Sequence, residues 1–164
     1  MSPLGKTPPR SNAPRHFLDL ADLDSVTLCH RIADARRATT DAELDSIMAL
    51  QPHGIVVAAQ NGADVQQLSV KLAVREAEFG VEDGATKILA IVPATPAAIF
   101  HLSGFADASA RLAGFIFARE DLEQALGLAP CTTPDVAPGS PIASARHLML
   151  FAAKAAKIPA IDAA

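Results

Sequence analysis

Three short apolar runs, Ile55-Val56-Val57-Ala58, Ile88 to Val92 and Phe115-Ile116-Phe117, constrain this chain most, because each is continuous rather than alternating. A strand that is apolar at every position is covered on both faces, the condition of a parallel sheet flanked by helices. The intervening segments read as those helices. Asn61 is a natural N-cap for one whose Val65, Leu68, Leu72 and Phe79 trace a single face up to Gly80. Ala97 to Leu102 is a short helical stretch, and Glu120 to Leu126 is a helix with Gly127 beyond its end. Ser140 and Pro141 supply the N-cap and first-position proline of a long helix to Lys157, and Ile158-Pro159-Ala160-Ile161 is a last strand. Strand-helix alternation of this kind predicts a parallel α/β sheet or barrel, in which chemistry sits at the C-terminal ends of the strands.

The upstream third is less regular. Met1 to Pro14 is rich in proline and almost free of apolar residues, so it reads as a disordered tail, and 15–164 reads as one α/β domain. Phe17-Leu18-Asp19-Leu20 is strand-like or starts a helix. Ser25 to Arg37 is compatible with a helix, on the spacing of Leu28, Ile32 and Ala35. Thr40 is read as the cap of a helix from Asp41 to Leu50, with Glu43 completing a capping box, and Ala129 to Pro141 is read as a proline-rich loop.

Composition narrows the partners. The formal net charge of −4 gives no positive field for a polyphosphate backbone, so nucleic acid is not an expected partner. No apolar run approaches the roughly 20 residues of a membrane-spanning helix. Cys29, read on a helix face, and Cys131, in the loop, form no C-x-x-C pair and follow no secretory signal, which points to free thiols and a cytoplasmic setting. The five histidines lack the H-x-x-x-H spacing of a zinc site, and no glycine-rich nucleotide loop is present.

Read in order, Pro52-His53-Gly54-Ile55-Val56-Val57, Asn61-Gly62-Ala63-Asp64-Val65, Ile88-Leu89-Ala90-Ile91-Val92, Phe117-Ala118-Arg119-Glu120-Asp121-Leu122, Ser144-Ala145-Arg146-His147 and Pro159-Ala160-Ile161-Asp162 resemble the citrate lyase beta subunit and HpcH/HpaI aldolase family. The likeness runs over 51–162. It implies part of a TIM-type (β/α) barrel of the phosphoenolpyruvate/pyruvate superfamily, and a lyase that makes or breaks carbon–carbon bonds beside a hydroxyacyl-coenzyme A or a hydroxy acid. It also implies Mg2+, which in such chemistry polarises a carbonyl and stabilises the enolate. Carried over by position, Asp121 matches a metal ligand, Glu120 precedes it as in the family, and Arg146 stands as a substrate or coenzyme A contact.

Other positions depart from that pattern. Pro93-Ala94-Thr95 stands where the family has Glu-Thr-Ala, so Pro93 replaces the second metal-binding glutamate. Ala58-Ala59-Gln60-Asn61 stands for Pro-Lys-Val-Glu, and Asp19-Leu20-Ala21-Asp22 for Asp-Leu-Glu-Asp. The arginine strand of the family has no counterpart in this reading, which leaves about five of the barrel's eight strands. Arg15-His16-Phe17-Leu18-Asp19-Leu20-Ala21-Asp22-Leu23 is also similar to the first helix entry of ornithine carbamoyltransferases, without their Ser-Thr-Arg-Thr-Arg phosphate loop.

Two functions follow as expectations. One is a degenerate lyase with weak or no activity, using Asp121, Glu120 and Arg146. The other is a non-catalytic oligomeric or partner-binding protein on the same scaffold. In the second, Glu120 and Asp121 complement a helix dipole and Arg146 makes an ion pair. Unpaired strand edges predict a homo-oligomer in either case.

Overall fold

The continuous apolar runs form strands. The computed structural model describes residues 18–19, 29–32, 40–129 and 139–163. Strands β1 (Leu18–Asp19), β2 (Cys29–Ile32), β3 (Gly54–Ala58), β4 (Lys87–Ile91), β5 (Leu112–Ala118) and β6 (Ala160–Ala163) make one sheet in the order β1-β6-β5-β4-β3-β2. Every neighbouring pair is parallel. Joining β1 to β2 would turn that order into an uninterrupted ring, so the sheet is a barrel opened between its first two strands. The fold is α/β, a partial TIM-type barrel.

Four α-helices accompany the sheet among the described residues: α1 (Thr40–Met48), α2 (Gly62–Phe79), α3 (Arg119–Ala125) and α4 (Pro141–Ala155). A 3₁₀ helix, Pro96–Phe105, connects β4 to β5. Alternation along the strands separates two faces. Ile55, Val57, Ile88, Ala90, Phe115 and Phe117 join Leu44, Met48, Leu68, Leu72, Leu122 and Met149 of the helices in the main core. Each fully buried Val, Leu, Ile, Phe or Met among them contributes about 1.5–3 kcal/mol through the apolar area removed from water. Phe105 meets Phe115 edge to face at 5.3 Å, the arrangement ring quadrupoles favour. The other face of the sheet carries a smaller cluster of Ile91, Ile116 and Ile161, with Val56, Leu89 and Ala118 packed against it.

Local chemistry sets the helix limits. The Asn61 side chain accepts from the Asp64 backbone N–H at 3.2 Å, and Asp64 Oδ2 accepts from the Gln60 N–H at 2.8 Å, so two donors at the start of α2 are satisfied. Gly80, at φ 68°, ends that helix in the left-handed conformation that glycine adopts without cost. Ser140 caps α4 by accepting from Ala143 N–H at 3.1 Å, with Pro141 in its first turn.

The structure corrects several expectations. Within the span read as a helix from Ser25 to Arg37, Cys29–Ile32 forms β2 instead, in register with Gly54 to Val57 of β3. Spacing over so short a segment is a weak signal, and pairing with an available sheet edge overrides it. Cys29 therefore lies on a strand, and the described sheet has six strands rather than about five. A strand does stand beside β3, with Arg31 in it at the register position of Val56. Helix α1 begins at Thr40 itself. Phe79, expected on the buried face of α2, is 38% exposed, while Glu76 is fully buried. Met1 to Pro14, Cys131 and most of the proline-rich loop lie outside the described residues, as does Arg15 to Leu23 apart from β1.

Candidate functional site

In a parallel sheet of this type the chemistry belongs at the C-terminal strand ends. Strand β3 ends in Ala58 and is followed by fully buried Ala59 and by Gln60, whose backbone N–H is committed to Asp64. After β4, Val92 and Pro93 are buried and joined by a cis peptide bond. Thr95 follows, its Oγ1 buried and without a hydrogen-bond partner among the described residues. Among the described residues the one carboxylate beside either end is that of Asp64, which is buried and accepts the Gln60 N–H. Ala58, Ala59, Val92 and Pro93 make both rims small or apolar, and Gln60 and Thr95 are the polar residues that follow them.

The end of β5 differs. Ala118 passes directly into α3, which has no side-chain cap, and Glu120 and Asp121 lie exposed in its first turn. Arg119 Nε lies 2.7 Å from Oε1 of Glu123, one turn further along the same helix, and Glu123 is 4% exposed, so the pair braces the first turns of α3 internally. Arg146, in the second turn of α4, reaches the end of β6: Asp162 Oδ2 accepts from its Nε at 3.0 Å and its Nη2 at 2.5 Å. Asp162 pairs in register with Phe117, whose side chain lies in the main core under the helices. The Arg146–Asp162 bridge thus ties α4 to the sheet. The resemblance had set Arg146 and Asp162 in separate blocks, and only the return of the chain through α4 into β6 joins them.

Magnesium prefers octahedral oxygen ligation, with one or two carboxylates completed by water or substrate oxygens. Glu120 and Asp121 are consecutive on a helix and therefore project about 100° apart, a poor arrangement for closing on one ion. Among the described residues no group of three or more His, Cys, Asp or Glu side chains is placed to hold a metal. The donor set among the described residues does not fit the ion that the resemblance implies.

A surface cleft of about 380 Å3 lies elsewhere, between the start of α2 and the 3₁₀ helix, lined by Asn61, Gln66, Phe100 and His101 among others. None of Glu120, Asp121 and Arg146 lines it. Its floor depends on two glycines: a Cβ on Gly62 would stand 1.9 Å from the Gly104 carbonyl oxygen. The dipeptide Asn61-Gly62 was legible as a cap but not as a close-approach site, because its neighbour is some forty residues away in the chain.

These observations define a class, a partial parallel (β/α) barrel, with the ends of β3 and β4 poor in catalytic side chains. No family model matches the chain, and no curated protein matches it. Among solved structures it is similar to RipC from Yersinia pestis, with a TM-score of 0.63 and 22% identity over 82% of this chain and 56% of that one. It is similar to CitE from Mycobacterium tuberculosis in complex with magnesium, acetoacetate and coenzyme A, with a TM-score of 0.58 and 21% identity over 82% and 44%. The Haloferax volcanii malate synthase pyruvate/acetyl-CoA ternary complex gives 0.63 and 17% over 81% and 39%. The shared property at these identities is the fold. The chain spans about half the length of the structures it matches. No helix among the described residues is long and apolar enough to cross a membrane.

Proposed function

We propose that this chain is a degenerate relative of carbon–carbon lyases of the citrate lyase beta type, directed at a hydroxyacyl-coenzyme A or hydroxy acid, with weak or no activity. The order of its motifs and the fold it shares with CitE and malate synthase support the lineage. The observation that carries the loss of activity is the pair of strand ends after β3 and β4, where Ala59, Asn61 and Pro93 stand in place of the lysine and the two glutamates that the resemblance implies. Asp121 and Glu120 remain at the acidic positions that the resemblance implies, and Arg146 as the anion contact, which must release Asp162 to act. The test is cleavage of a hydroxyacyl-coenzyme A with magnesium present, followed by release of the carbonyl product. The expected rate lies within about tenfold of the uncatalysed reaction, against the 10⁶-fold or more usual for enzymes. Robust turnover that disappears in Asp121→Asn would restore a working lyase.

A second reading, a non-catalytic cytoplasmic homo-oligomer or partner-binding protein on the same scaffold, is favoured by the outer face of α4. There Leu148 and Phe151 are exposed, on a helix that packs beside the 3₁₀ helix carrying exposed Phe100. Large apolar side chains gathered on a surface mark association. Size measurement, argued below, separates this reading from a monomeric enzyme.

A further inference from the structure

We infer that the outer face of α4 joins two copies of this chain in antiparallel pairing, with Leu148 of each copy against Phe151 of the other. The inference deepens the second reading above and rests on it, since that reading supplies the second copy. Four exposed residues, Ser144, Leu148, Phe151 and Ala155, follow one another at spacings of four, three and four, which sets them in one stripe along α4. The opposite face, with Ile142, Ala145, Met149 and Ala153, is buried. The stripe runs small, large, large, small and reads the same in both directions. A two-fold axis between residues 149 and 150 therefore sets Leu148 against Phe151 twice and Ser144 against Ala155 twice, as an isologous contact requires. Ser144 brings no idle polar group, because its hydroxyl donates to the Ser140 carbonyl at 3.1 Å.

Charge favours a second copy over an unlike partner. A two-fold contact sets each face against itself, so it tolerates no concentration of one charge, and none of the four stripe residues is charged. The 3₁₀ helix packed beside α4, with Phe100 85% exposed, holds no Asp, Glu, Lys or Arg. Lys154 lies off the stripe, and the axis leaves it about 13 Å along the helices from its own copy, beyond the Debye length at physiological ionic strength. Helix α4 is about 22 Å long and, with its 3₁₀ neighbour, about 20 Å wide, so two copies cover on the order of 900 Å2, the size of a weak, reversible interface.

The experiment measures the mass of the full chain by light scattering across micromolar concentrations, for the wild type, Leu148→Glu, Phe151→Lys and an equimolar mixture of the two variants. The wild type is expected to dimerise. Each variant alone buries a charge against an apolar side chain and is expected to weaken the dimer about 100-fold or more. In the mixture the introduced carboxylate meets the introduced ammonium on one side of the axis and the other side keeps its native contact. A heterodimer within about tenfold of the wild-type affinity is expected, weakening in salt. Neither position belongs to the main core, and the melting temperature of each variant checks its fold; the reversed pair, Leu148→Lys with Phe151→Glu, replaces a variant that fails to fold. A monomeric wild type overturns the inference together with the second reading. A dimer indifferent to both single variants overturns the inference alone and leaves self-association standing. Variants that dissociate and stay apart on mixing overturn the antiparallel register.

Discussion

Arg111 Nη1 lies 2.7 Å from Oε2 and 2.8 Å from Oε1 of Glu76, and the two side chains are almost wholly withdrawn from water. The same carboxylate accepts the backbone N–H groups of Thr86 at 2.8 Å and Gly84 at 2.9 Å. Arg111 also bonds to Asp83 through Nη2. The pair ties the last turn of α2 to the loop before β4 and the residue before β5, at the opposite end of the sheet from the candidate site. A charge can be buried there because all its hydrogen-bonding capacity is met locally.

Removing one partner leaves the other charged and buried, which costs about 3–5 kcal/mol. Glu76→Ala and Arg111→Ala are each expected to lower the urea midpoint sharply. Glu76→Leu combined with Arg111→Met should recover a large part of that loss, since no stranded charge remains. A double variant as unstable as the sum of the singles would contradict the pairing.

The pair also sets a pH dependence. Burial alone pushes the Glu76 carboxyl up, but the N–H groups of Thr86 and Gly84 and the Arg111 guanidinium outweigh it and hold the group below its ordinary value of 4.5. A carboxyl depressed in the folded state binds its proton more readily when unfolded, so its stabilisation is present above 4.5 and is lost as pH falls through the folded-state value. Chemical denaturation between neutral and acid pH should show that decline, and Glu76→Gln should flatten it. A slope unchanged in the variant would assign the decline to other carboxylates.

The two glycines of the cleft give an asymmetric pair. Gly62→Ala drives a methyl against the Gly104 carbonyl oxygen at 1.9 Å, whereas a Cβ on Gly104 has its nearest neighbour, Gly62 N, at 3.8 Å. Overpacking against backbone costs about 1–3 kcal/mol, so Gly62→Ala should melt several degrees lower. Gly104→Ala should melt close to the wild type. Equal losses at the two positions would show that the close approach is not what stabilises this corner.

The bridge between Arg146 and Asp162 is partly exposed, at 35% and 26% of the side chains, and solvent screening limits such a pair to about 0–1 kcal/mol. A double-mutant cycle with Arg146→Ala and Asp162→Ala should therefore return a small positive coupling that weakens in salt. A coupling near zero would mean that Arg146 is held by other contacts and that its pairing with Asp162 does not fix α4.

What was legible in the sequence was what short-range chemistry decides. The β-branched runs gave β3, β4 and β5, and Asn61, Gly80, Ser140 and Pro141 marked helix limits that the backbone hydrogen bonds explain. What was not legible depends on neighbours distant in the chain. Cys29–Ile32 is a strand because β3 offers an edge. Glu76 replaces Phe79 as the buried end of α2 because Thr86, Gly84 and Arg111 meet it there. The substitution of Pro93 for a metal-binding acid could be read from the motif alone. The engagement of Arg146 by Asp162 could not, since it requires knowing that α4 returns the chain to the sheet beside β5.

Self-association is the expected outcome of the same geometry. The described sheet ends at β1 on one side and β2 on the other, and a parallel sheet edge carries unpaired N–H and C=O groups that template further pairing. Phe151, 72% exposed, and Leu148, 46% exposed, add an apolar stripe on α4. A second copy is the expected cover, because most soluble oligomers are symmetric homo-oligomers. Light scattering at micromolar concentration should report at least a dimer. Phe151→Glu, at a position whose exposure leaves the main core untouched, should shift that population toward the monomer if α4 is the contact. A dimer indifferent to Phe151→Glu would move the interface to the sheet edges, and a cooperative monomer in the wild type would mean that the chain covers both edges itself.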